Sequence, residues 1–201
     1  MTPVLDRVRA HLRSHFPGAQ PDSASVTFLG TEPIEVLRFR ASDGLVHHVS
    51  VGCSRHPMTD PTQLLTDPER GPRAEVVLTL RDAGPVTGIA RSLAVLAATP
   101  AVEGLVLVAD ALVDLGSPLW AWGSGKPSVR VPFTAVLLGP SDIPDLPLEE
   151  PREPVQFLAA TPITATEAAW VRLKGAEAMR RAWATDMVDV LNPNRPAAQA
   201  R

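Results

Sequence analysis

Tyrosine is absent from this chain of 201 residues, cysteine occurs once, and lysine occurs only at Lys126 and Lys174. With Cys53 alone no internal disulfide can form, which excludes a small secreted disulfide scaffold. Without tyrosine the chain cannot present a tyrosine-rich, paratope-like surface. Arginine replaces lysine almost throughout, which reads as genome composition before function. No long block of one charge sign occurs and the net charge is −3, so a nucleic-acid footprint is not indicated. No apolar run reaches the roughly 18 residues that span a membrane; Leu105–Leu115 is broken by Asp110 and Asp114. The first turns carry Asp6, Arg7 and Arg9 and lack the apolar segment of a signal peptide. A cytoplasmic protein is the expectation.

What is present is a hydrophobic fraction of 45%, enough for a real core. Pro3 opens a helix whose stripe is Leu5, Val8, Leu12 and Phe16. His11 and His15 share a face of it without a third metal ligand nearby, which reads as a solvated flank of the stripe. Strand-like runs follow at Ser25–Leu29, Ile34–Arg40 and Leu45–Cys53, the last two joined by an Asp43-Gly44 turn. In the third run, alternation puts His47, Val49, Val51 and Cys53 on one face and Val46, His48, Ser50 and Gly52 on the other. Residues 54–72 read as a loop. Arg73–Arg81 is a strand with Ala74, Val76, Leu78 and Leu80 facing the core. A helix opens at Gly84-Pro85, buries Ile89, Leu93 and Leu96, and stops at Pro100. Leu105–Ala109, apolar on both faces, is expected as a central strand, with Ala111–Leu115 after it. Val129–Leu138 is a further strand, in which Pro132 fits only at an edge or a bulge.

The C-terminal stretch is the most patterned. Pro154–Ala160 is a short apolar strand that Pro162 should break. Thr164 and Glu167 have the spacing of a capping box. Ala169, Leu173, Ala176, Met179, Trp183 and Met187 then recur on one helical face, with a bend or break expected at Gly175. Together these elements predict one α/β (α+β) domain over residues 1–201: a mixed, largely antiparallel sheet of about six to eight strands packed with helices. Its core spans about 3–196, with a proline-rich connector at 140–154 and a loose tail at 192–201.

Several pieces resemble the suppressor of fused domain family in the same order. They are Val49–Ser54 with Pro57-Met58, Arg73–Leu78, Pro162-Ile163 with Glu167, Gly175–Met179, and Asn192–Pro196. The resemblance implies a suppressor of fused-like domain that binds another protein or peptide and has no catalytic centre or cofactor. For stand-alone bacterial members it implies an immunity protein that inhibits a cognate toxin by direct binding.

The residues offer softer candidates. Trp120 and Trp122, in a Gly- and Ser-rich loop, suit a partner anchor; the alternative is that both rings cap the core. Arg130 lies in the run marked as an edge, which could receive a partner strand. Arg73 and Glu75 match the family pattern, though an ion pair along one strand can be purely structural. These five are the expected partner-binding residues. The competing reading is a small thiol- or metal-dependent enzyme centred on Cys53 and His56. Gly123–Lys126 fails as a phosphate loop, because Trp120 and Pro127 occupy positions where the motif needs glycine and Ser or Thr.

Overall fold

The computed structural model describes residues 3–28, 30–59, 67–82, 84, 86–122 and 132–198. A seven-stranded sheet runs in the order β1-β2-β3-β4-β9-β8-β6. Three antiparallel pairings build its first half from β1 (Asp22–Val26), β2 (Ile34–Arg40), β3 (Leu45–Val51) and β4 (Arg73–Arg81). The second half is β6 (Leu112–Asp114), β8 (Phe133–Pro140) and β9 (Val155–Thr164), also antiparallel. A single parallel pairing, β4 with β9, joins the halves. A separate two-stranded ribbon pairs β5 (Val86–Thr87) with β7 (Ala121–Trp122).

Among the described residues four helices cover the sheet: α1 (Val4–His15), α2 (Ile89–Glu103), α3 (Ala165–Lys174) and α4 (Ala176–Thr185). α2 buries Ile89, Leu93 and Leu96 against Val36, Val76, Leu78 and Leu80 on one face. On the other face, α1 sets Leu5, Val8 and Leu12 on Leu37, Phe39, Val49 and Phe157. α3 and α4 cover Ala135, Leu137 and Ile163 beside it. The connector closes over α1 with buried Ile143 and Leu146. His11, expected on a solvated flank, instead stacks on Phe157 and bonds the Pro144 carbonyl at 2.7 Å.

Several expectations are corrected. Leu105–Ala109 is not a strand: Gly104 ends α2 in the left-handed region, and Leu105 and Val108 are exposed around a buried Leu107. The centre of the sheet belongs to β4 and β9. β8 is not an edge, because it lies between β9 and β6 and begins just after Pro132. Pro100 lies inside α2; the Leu96 carbonyl that its missing N–H would serve accepts from the Thr99 hydroxyl at 2.8 Å. Pro162 lies inside β9. In a strand the nitrogen and oxygen of one residue point the same way, and the Pro162 oxygen accepts from Arg195. The missing N–H is therefore on the side that β4, paired only as far as Ala159, no longer covers.

The capping box at Thr164 and Glu167 is present, and Gly175 (φ 87°) separates α3 from α4. The expected face carries Met179 and Trp183 but not Ala169 or Leu173, which are exposed; α3 buries Glu167, Ala168 and Val171 instead. The break lets the two helices present unrelated faces. Met187 lies beyond α4 and is exposed.

Candidate functional site

Arg73 and Glu75 are not a surface pair. Glu75 is fully buried and Arg73 is 3% exposed. Both hold the 3-10 turn Cys53–Arg55 where β3 leaves β4. The ladder stops at Val49–Val77, and Ser50 Oγ replaces the next carbonyl by accepting from the Val76 N–H at 2.9 Å. Glu75 then accepts from Ser50 Oγ, from the Gly52 and Ser54 N–H groups at 2.9 and 3.0 Å, and from Ser54 Oγ at 2.6 Å. Burial holds its carboxyl above the ordinary value, against the pull of these donors. Arg73 donates to the carbonyls of Ser54, Arg55 and Glu69. Gly52 is required here: its φ is 150°, and a Cβ would meet Ile34 Cδ1 at 2.8 Å.

A second buried clamp closes the C-terminal end. Glu167 caps α3 and accepts from Arg195 Nη1 at 2.7 Å, from Trp183 Nε1 at 3.2 Å and from the Ala198 N–H at 3.1 Å. Burial pushes the Glu167 carboxyl up, but Arg195 and the backbone donors outweigh it and hold it below the ordinary range. Arg195 also lies over the rings of Phe133 and Trp183. The tail expected to be loose is thus tied down through residue 198.

Cys53 is in the turn, not on the β3 face. Burial and the nearby Glu75 charge push its thiol up, the opposite of activation. His56 is exposed and its Nε2 bonds Glu32 at 3.0 Å. His47 bonds Thr79 at 3.0 Å from the opposite end of β3. No group of three His, Cys, Asp or Glu residues could hold a metal among the described residues. Trp120 is 7% exposed and packs on Phe133, with ring centroids 5.2 Å apart. The backbone of Trp122 forms β7; Arg130 lies outside the described residues. Arg73 and Glu75 share one clamp, and Trp120 is a core residue.

Among the described residues an open cavity lies elsewhere, on the α2 face over β1–β4. A cavity of about 670 Å³ is lined there by Val36, Arg38, Val46, His48, Leu80 and the start of α2. Asp22, Arg38, His48 and Leu78 form one cross-strand row. Burial, with Arg38 alongside, pushes His48 down to about 4, so its ring is neutral at pH 7. The sequence named the strand face of His48 but not this row. Register across three strands was the missing signal.

A mixed seven-stranded sheet with helices on both faces and two buried carboxylate clamps defines an α+β domain. The chain belongs to the suppressor of fused family, whose model for suppressor of fused protein (SUFU) matches residues 30–196. The fold is shared with a suppressor of fused homologue from Neisseria gonorrhoeae, 16% identical, with TM-score 0.69 over 98% of this chain and 97% of that one. A chain of the Sufu–Fu complex is 15% identical, with TM-score 0.68 over 98% and 92%. Drosophila Suppressor of Fused is 16% identical, with TM-score 0.65; 98% of this chain aligns with 51% of that protein. No curated protein matches the chain in sequence.

Proposed function

We propose that the chain is a protein-binding module that works by occlusion rather than by catalysis. The observation that carries this reading is family membership together with a relative of the same fold solved in complex with Fu. The buried ionisable groups support it. Glu75, Arg73, Glu167 and Arg195 are engaged in internal hydrogen bonds, and the Cys53 thiol is disfavoured as a nucleophile. The finer reading is an immunity protein that binds and blocks a cognate toxin in the cytoplasm; the sequence resemblance supports it. No described helix is long and apolar enough to cross a membrane.

The test is capture from lysate of the source cells on the immobilised protein. A single stoichiometric protein that survives washing is the expected result. Its activity, measured with and without the chain, then tests the toxin reading. Blank eluates across several growth conditions would count against a binding module.

A further inference from the structure

The cavity on the α2 face has walls of two kinds. Its floor is apolar, made by Val36, Val46 and Leu80, with Val86 and Ile89 alongside. One end is the start of α2, at Gly88, Ile89 and Ala90. That helix has no side-chain cap; its N-cap is Gly88 in the left-handed region, φ 94°. The N–H groups of a first helical turn have no acceptor within the helix and sit at the positive end of its dipole. Such an end favours a carboxylate or other anion.

His48 points the same way independently. It lines this cavity and is 8% exposed; the Leu78 backbone interacts with its ring, but its Nδ1 has no well-formed hydrogen bond. A buried ring nitrogen left unbonded is costly, and a bound polar group would relieve that cost. The arginines of the rim add donors. Arg38 lies across from His48, and Arg40 across from Val46. They hold Asp22 and Asp82, whose side chains are 66% and 47% exposed. Exposed pairs of this kind are weak, so an incoming carboxylate can take the place of either aspartate. The cavity also reaches Asp22, Ser23 and Ala24 on β1, the free edge of the sheet, so a polypeptide can run through it rather than end in it.

We infer that this cavity receives a segment of a partner protein in which a carboxylate side chain stands beside an apolar one. The carboxylate meets the first turn of α2 with His48 and Arg38; the apolar side chain rests on Val36, Val46 and Leu80. The inference rests on the protein-binding reading above and gives it a seat.

The probe is an acetylated, amidated hexapeptide in which leucine and aspartate alternate, with its leucine–asparagine counterpart as control. Binding is followed through the backbone amide resonances of the whole chain. The expected result is saturable movement of the His48, Ile89 and Ala90 amides with the acidic peptide. At least tenfold weaker binding is expected for the asparagine peptide, and for the Ala90→Asp and Arg38→Ala variants. Ala90→Asp places a carboxylate where a helix start favours one, and the dispersion of its amide spectrum checks that the fold is kept. Movement confined to other surfaces, equal binding of the asparagine peptide, or no saturation at millimolar peptide overturns the proposal. Equal binding of acetate alone overturns it in favour of a small-anion site. If a captured protein partner binds Ala90→Asp as well as the original chain, this seat is wrong and the protein-binding reading stands. If capture fails with the original chain while the peptide binds, it is the broader reading that falls.

Discussion

His48 and Glu75 set opposite slopes on the stability of the domain. The folded value of His48 is about 4, below the ordinary 6.5. Between those values the unfolded chain takes up a proton that the folded chain refuses, so stability falls as the pH falls. The full effect is about 3 kcal/mol. His48→Asn is expected to flatten that decline, as read from urea midpoints at pH 7 and pH 4.5. Glu75 is raised in the fold, so its contribution is complete below its unfolded value of 4.5 and is lost as the pH rises through the folded one. Glu75→Gln should therefore be more costly at pH 4 than at pH 8; an equal cost would mean that the buried carboxyl is not raised. Cys53→Ala is expected to cost about 1 kcal/mol and to leave partner capture unchanged. Loss of a measurable activity with folding intact would instead revive a thiol mechanism.

At the scale of elements, what was local in sequence was legible. The capping box, the Gly175 break and the β2–β3 hairpin each depend on a few adjacent residues, and each stands where its residues say. The misreadings came from rules that hold only where no other group compensates. Pro100 was expected to end α2, but the Thr99 hydroxyl supplies the donor that proline lacks. Pro162 was expected to break β9, but Arg195 occupies the side where the N–H is absent. The periodicity drawn through α3 and α4 failed because a helix face does not carry across Gly175. That glycine has open space around it, and its conformation (φ 87°, ψ 166°) is essentially closed to other residues. Gly175→Ala is expected to cost about 1–3 kcal/mol by urea denaturation, although alanine is the better helix former on either side of it.

Across the whole molecule, several of the residues that carry the family resemblance form buried clamps. Ser50, Gly52 and Ser54 meet Glu75, and Glu167 meets Arg195, over 28 positions. Sequence order brought these pieces to notice, but it could not show that they were buried together, since burial depends on pairing between distant strands. Arg195→Ala leaves Glu167 buried without its cation, and an expected loss of about 3–5 kcal/mol follows. Replacing both, as Glu167→Gln with Arg195→Met, should cost less than that single change, and a thermal unfolding cycle over the four proteins reads the difference.

The lone parallel pairing has a consequence for synthesis. Val155, the partner of Arg73, leaves the ribosome 82 residues later. At about 5–20 residues per second the interval is about 4–16 s. For that time the nascent antiparallel half displays the backbone of β4 as an unpaired border, the kind of border that recruits stray strands. Translation speed and chaperone access between these two points therefore bear on the yield of this protein.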